Sequence, residues 1–298
     1  MTARTSRSTT KRSPIGAHVS VAKGLVKGGL ARADELGAEL VQVFVGNPRG
    51  WADPKVDPEA DELFRVTAAE RGIAVFVHAP YLINFGSPSP QTLEKSSAAL
   101  EFSLRRARAI GARGVVLHAG SAVLGNRWED AMSQVQAAVP PLVERALGDD
   151  AGTQLLIEPT AGGGGALAAD LTSLAAYLDQ LGRDERIGVC LDTCHLHAAG
   201  HDLSSEKQLA AVLRSAKKAA GVGGVGLIHV NDSRDPVGSK RDRHAALGAG
   251  SIGLDAFSAL FTTPAIRGVP LVVETAEADH AADIATLKKL REAATAAS

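Results

Sequence analysis

Cysteine, aromatic side chains and net charge are all scarce in these 298 residues. Cys190 and Cys194 are the only cysteines, too few for a disulfide framework and in keeping with a reducing cytoplasm. The formal charge of −1 excludes the strongly basic balance by which composition alone announces a nucleic-acid partner. No apolar run approaches the roughly 20 residues of a membrane span, and no signal-peptide core follows Met1, so no membrane partner is expected. No G-x-G-x-x-G opens a helix after the first apolar run, which removes the dinucleotide-binding fingerprint. The glycines of AGGGG (161–165) lack the Lys-Ser/Thr of a phosphate-binding loop and are read as a flexible loop. What remains is a chain 45% hydrophobic, ample for a packed core.

Residues 1–13, MTARTSRSTTKRS, carry four basic side chains, no acid and no hydrophobic residue beyond Met1 and Ala3. Such a segment cannot bury enough surface to order itself and is expected to be a disordered basic tail. From Pro14 onward short β-branched runs alternate with Ala/Leu-rich stretches. The runs are IGAHVS (15–20), LVQVFV (40–45), AVFVHA (74–79), GVVLHAG (114–120), QLLIEP (154–159), IGVCLD (187–192), VGLIHV (225–230) and PLVVET (270–275). Helices are expected at 22–36, 57–71, 91–110, 127–147, 168–182, 205–219, 253–262 and 279–294. Eight strands alternating with eight helices, without a linker, predict one (β/α)8 TIM barrel over 14–298, with its active site at the C-terminal ends of the strands.

Those strand ends are where the polar residues fall. His78, His118, Glu158, Asp192, His229 and Glu274 close six consecutive strands. One such residue is ordinarily a helix cap or a satisfied structural group. Six consecutive strands ending in a potential ligand are harder to explain that way, and the carboxylates among them, forced together, would repel and raise each other's pKa values unless cations were present. Imidazoles mixed with carboxylates suit zinc, manganese or iron better than magnesium. IGVCLDTCHLHAAGHD (187–202) adds His195, three residues past Asp192, and RDRH (241–244) adds Asp242 and His244, which face the same way on an extended segment. The nine candidates, five histidines and four carboxylates, exceed what one or two open sites need, so three ions are the natural count.

The chain resembles the endonuclease IV family of zinc-dependent apurinic/apyrimidinic endonucleases. The motifs that carry the resemblance are FVGNPRGW (44–51), HAPYLINFG (78–86), IEPTAG (157–162), VCLDTCH (189–195), HVNDS (229–233) and GSKRDRHAALGAG (238–250). The resemblance implies three Zn2+, with Mn2+ admissible at one position. His78 and His118 would hold the first ion and Glu158 would bridge to the second. Asp192, His229 and Glu274 would complete the second, and His195, Asp242 and His244 would hold the third. It further implies cleavage 5′ of an abasic site in duplex DNA, leaving a 3′-hydroxyl and a 5′ deoxyribose phosphate, by a monomer in the cytoplasm. Glu274 and Glu158 are the catalytic carboxylates on this reading, Glu274 lying beside the attacking water. Three ions of charge +2 would raise the net charge from −1 to +5 and make the barrel mouth attractive to phosphate.

For DNA contact the resemblance points to Arg49, in the NPRGW loop, and to Tyr81 as a stacking or wedging ring. Lys240 and Arg243, with Arg241 and Arg234 nearby, are candidate phosphate contacts. Trp51 is read as loop packing. The chain departs from the family pattern at Gly46, where Lys is common, at Pro159, where Asn is common, and at Ala249, where Glu is common. His18 either supports the site or simply packs at the barrel mouth. His197, His201 and His280 are expected to be ordinary surface or loop residues. Two rival functions share parts of this pattern, a metal-dependent sugar isomerase or epimerase and a non-catalytic DNA-binding barrel. The third-ion residues argue against the first and the intact ligand set against the second.

Overall fold

In the computed structural model, which describes residues 12–52, 55–149 and 152–296, the eight apolar runs form eight parallel strands. They are β1 (Ile15–His18), β2 (Leu40–Phe44), β3 (Ala74–His78), β4 (Gly114–His118), β5 (Gln154–Glu158), β6 (Ile187–Asp192), β7 (Val225–His229) and β8 (Leu271–Val273). They bond in chain order and close into a barrel, β8 meeting β1 through the pairs Ile15–Leu271 and Gly16–Val272. A Cβ on Gly16 would come 1.8 Å from the Leu40 carbonyl oxygen, so only glycine lets β1 and β2 meet there.

Alternation along each strand builds the site. One set of side chains faces the helices; the other fills the barrel. Leu40, Phe76, Val116, Leu156, Cys190, Leu227 and Val272 pack as one buried interior cluster. Two residues further along each strand stand Gln42, His78, His118, Glu158, Asp192, His229 and Glu274. The apolar cluster is therefore the floor on which a polar layer rests. Register aligns that layer sideways, pairing His118 with Glu158 and Asp192 with His229.

The helices form because their apolar residues recur at helical spacing and their starts are capped. The helix over Trp128–Leu147 buries Met132, Val135, Val139, Leu142 and Val143 on one face. Each such side chain contributes about 1.5–3 kcal/mol on burial. Asp57, Ser89, Asp170 and Ser205 each cap the following helix with a side-chain oxygen. Among the described residues, no helix is long and apolar enough to cross a membrane.

Some boundaries differ from expectation. A short helix, Thr193–Ala199, follows β6 directly and was not foreseen; Asp192 caps it. The first helix opens with a π turn over Leu25–Leu30 before Ala31–Leu36. The expected 253–262 helix is mostly 3-10, Leu254–Ser258, followed by one α turn. Two residues of the expected tail, Arg12 and Ser13, fall within the described structure. Ser13 is buried, with its carbonyl accepting from Arg291 at 2.7 Å, and Arg12 pairs with Glu39. The disorder expected of residues 1–11 lies outside the described residues.

Candidate metal centre

All nine candidate ligands meet at the C-terminal mouth of the barrel, in groups whose atoms lie within 4.8 Å of one another. One group is His78, His118 and Glu158; a second is Glu158, Asp192, His229 and Glu274; a third is Asp192, His195 and His244. Asp242 joins the third group, 3.1 Å from His195 Nε2 and 3.0 Å from His244 Nε2. A short antiparallel ladder between Asp232–Ser233 and His244–Ala245 carries RDRH back to the mouth.

The spacing within the groups tests whether cations fit. Two ligands of one tetrahedral ion with bonds near 2.0–2.1 Å stand about 3.3 Å apart. Glu158 Oε2 is 3.5 Å from His78 Nε2 and 3.3 Å from His118 Nε2. His244 Nε2 is 3.5 Å from Asp192 Oδ2, and His229 Nδ1 is 3.0 Å from Glu274 Oε2. Glu158 Oε2 is buried without a hydrogen-bond partner, the kind of orphaned atom a cation satisfies.

Four of the imidazoles have their other nitrogen on an oxygen. His78 Nδ1 donates to the Ala79 carbonyl at 2.7 Å, His195 Nδ1 to Pro159 at 3.0 Å and His244 Nδ1 to Glu274 at 3.3 Å. His229 Nε2 lies 2.8 Å from Gln42 Oε1. A carbonyl oxygen only accepts, so these contacts hold a proton on the outward nitrogen, and in the neutral ring the inward nitrogen is the one left to bind an ion. Pro159 thus serves through its carbonyl, which the residue type does not affect.

Charge supports the same reading. Burial opposes charge on His195 and His244, yet the surrounding carboxylates, Asp192 first, raise them to about 10 and about 9. Burial likewise disfavours the Glu158, Asp242 and Glu274 carboxylates, but facing histidines hold all three well below the usual range. Carboxylates and imidazoles each favour the charged form of the other, so the mouth favours positive charge beside its carboxylates.

Both cysteines lie within reach of the cluster, Cys190 beside Glu158 and His229 and Cys194 beside Asp242 and His244. Cys190 belongs to the apolar floor. Cys194 is buried in the short helix after β6. Burial pushes both thiols up to about 12, so neither is ionised at neutral pH.

Several partners of the ligands were not foreseen. Gln42 touches His229, Glu274 and His18. Asn231 donates to Asp192 Oδ2 at 2.7 Å and accepts from the Glu274 backbone at 2.9 Å. Asp232 is fully buried and accepts from the backbone of Ser233, Gly248, Gly250, Ile252 and Gly253, at 2.8–3.3 Å, anchoring the loop behind His244. His18 supports the site, since its Nδ1 is 3.0 Å from Gln42 Nε2.

His197 and His280 are corrections. Both are buried rather than on the surface, His197 contacting Leu203 and Ser251 and His280 donating to the Thr275 carbonyl. His201 is half-buried.

At the rim, Arg49 and Lys240 are exposed, and neither side chain has a hydrogen-bond or ion-pair partner among the described residues. Lys240 holds a positive φ of 56°, unusual for a non-glycine residue. Arg243 instead pairs with Asp235 through two nitrogens, at 2.6 and 2.5 Å. Tyr81 is 48% exposed; its ring lies 5.2 Å from that of His78 and 5.7 Å from that of His118. Its backbone N–H bonds the Pro48 carbonyl and ties its loop to that of Arg49. Trp51 packs against the core. The AGGGG loop is laced to its neighbour, Gly165 accepting from Ala122 at 2.7 Å.

The closed barrel agrees with a family match, since the model of the xylose isomerase-like TIM barrels matches residues 30–293. The probable endonuclease 4 of Streptomyces coelicolor is 49% identical over 98% of this chain and 100% of its own. That of Methanoculleus marisnigri is 36% identical over 94% and 98%. The crystal structure of endonuclease IV from Thermus thermophilus matches with a TM-score of 0.81 at 31% identity, covering 94% of this chain and 99% of that one. The chain belongs to the endonuclease IV family. A D-tagatose 3-epimerase-like protein, at 17% identity and a TM-score of 0.73, shares the fold alone.

Proposed function

We propose that this protein is a zinc-dependent apurinic/apyrimidinic endonuclease of DNA repair. It hydrolyses the phosphodiester bond 5′ of an abasic site in duplex DNA and leaves a 3′-hydroxyl and a 5′ deoxyribose phosphate. The observation that carries the reading is the convergence of nine candidate ligands, with facing atoms about as far apart as ligands of shared ions would stand. His78, His118 and Glu158 would hold one Zn2+; Glu158, Asp192, His229 and Glu274 a second; His195, Asp242 and His244 a third. Zinc supplies a water acidified to a pKa of about 7 and neutralises charge on phosphoryl oxygens.

The chain's own residues do the rest. Glu274 Oε1 is held by Gln42 at 2.7 Å, which leaves Oε2 to face the centre. Kept ionised by its histidine neighbours, Glu274 accepts a hydrogen bond from the attacking water and orients it. Glu158 is buried between the first and second groups and fixes their separation. Tyr81 and Arg49, on two joined loops, enter the duplex where the base is missing. Lys240 offers an unpaired charge to the backbone, and Arg243 does so while braced by Asp235. The Asp242–His244 pair, which adds a third ion's residues, argues against a sugar isomerase. The test is a duplex with one abasic site, incubated with zinc-loaded protein and no magnesium. The product strand should then be extended by a DNA polymerase without trimming. An intact duplex, or a product blocked at its 3′ end, contradicts the proposal.

A further inference from the structure

One fully buried side chain of the polar layer bears no charge and belongs to none of the ligand groups. Gln42 stands on β2, two residues beyond Leu40 of the apolar floor. Its Nε2 is 2.7 Å from Glu274 Oε1 and 3.0 Å from His18 Nδ1, and its Oε1 is 2.8 Å from His229 Nε2. An ionised carboxylate only accepts, so the amide N–H end must face Glu274. The oxygen end is then committed to His229 and accepts from it. That contact fixes a proton on His229 Nε2, so in the neutral ring Nδ1 is the atom left to bind an ion, 2.9 Å from Glu158 Oε1 and 3.0 Å from Glu274 Oε2. His18 accepts at Nδ1 and uses the remaining amide hydrogen.

We propose that Gln42 is a positioning residue of the metal centre. One amide selects the tautomer of His229 and pins one oxygen of Glu274, so that His229 Nδ1 and Glu274 Oε2 are presented to the same ion. This inference rests on the reading of the site as a zinc centre. An apolar residue at position 42 leaves a buried N–H on His229 and a buried oxygen on Glu274 without partners. The imidazole is then free to shift its proton to Nδ1, which blocks the ligand atom, and the carboxylate is free to rotate. A glutamate at position 42 separates the two roles. It still accepts from His229, but when ionised it donates nothing to Glu274.

The test uses full-length Gln42→Met, Gln42→Glu and, as a packing control, Val43→Ala. Val43 is fully buried on the opposite face of β2. Zinc affinity is measured by competition with a chromophoric chelator, folding by thermal melting, and incision as separate kcat and KM. Gln42→Met should fold cooperatively and bind its weakest zinc about 10- to 100-fold less tightly. Gln42→Glu should keep zinc affinity within threefold, with kcat down at least tenfold and KM unchanged. Val43→Ala should melt earlier with unchanged zinc affinity. Wild-type zinc affinity in Gln42→Met, or an equal loss in Val43→Ala, overturns the assignment. Unchanged kcat in Gln42→Glu overturns its Glu274 arm. The competition assay contains no DNA. A protein that takes up zinc but leaves abasic DNA intact refutes the nuclease reading while the assay still decides Gln42, and a wild-type chain that takes up no zinc refutes both.

Discussion

Asp192 caps the helix that carries His195: its Oδ1 accepts from the His195 backbone N–H at 2.9 Å while its Oδ2 lies 3.5 Å from His244 Nε2. One carboxylate therefore both starts a helix and faces the centre that the helix serves. Changing Asp192 or His195 to Ala should lower the zinc content and reduce incision at least a hundredfold, a loss expected when a ligand rather than one of its supports is removed. Changing Cys190 and Cys194 to Ala together should keep the full zinc count and most of the activity. The core cavity left at Cys190 should cost about 1 kcal/mol. Zinc loss in the double cysteine variant with zinc retained in Asp192→Ala would show these roles to be reversed.

Arg49 and Tyr81 are joined through the Tyr81–Pro48 backbone bond, and neither belongs to a ligand group. Replacing both with Ala should weaken binding to abasic duplex by tenfold or more, the scale of one lost stacking contact. Zinc content should not change. Equal affinity and equal incision in the double variant would remove both residues from the DNA surface.

Asp232 is a third kind of residue, remote from substrate but central to loop shape. Asp232→Asn replaces an acceptor-only group with one that presents N–H to N–H, and should cost about 2 kcal/mol. The melting temperature should fall, and proteolysis should begin within residues 244–253. Unaltered melting and protease resistance would mean that the loop is held by other contacts.

How much of this was legible in the sequence varies with the physical signal. The barrel and the meeting of nine strand-end or loop candidates at its mouth could be read because polar and charged residues interrupt apolar runs at their ends. Gln42 stood in the same phase, two residues after Leu40, but carried no charge to mark it. Asn231 and Asp232 were hidden because they lie beyond β7, where their partners Glu274 and Gly248–Gly253 are set by the closed fold. The helix over Thr193–Ala199 is only seven residues long, too short for a periodic apolar face. The burial of His197 depends on Ser251, 54 residues away, and no local pattern foretells it.

The base of the barrel makes an acid-stability prediction. Glu39 accepts from the Ile15 backbone at 2.9 Å and from Arg291 at 2.6 and 3.0 Å, and pairs with Arg12. Burial alone would raise its pKa, but these donors, Arg291 foremost, bring it below the ordinary 4.5. A lowered folded-state pKa contributes stability that is present above pH 4.5 and is lost as pH falls through the folded value. The wild-type protein should therefore be more stable than Glu39→Gln at neutral pH, with the difference shrinking below pH 4.5. Melting curves of the two between pH 7 and pH 3 check this; a gap that stays constant would contradict it.

Metal analysis of the purified protein, run beside the incision assay, tests the central claim most directly. The account predicts about three zinc ions per chain, and loss of abasic-site incision in step with their removal by a chelator. One or two divalent ions that exchange freely with manganese, or incision that survives complete removal of metal, would contradict it.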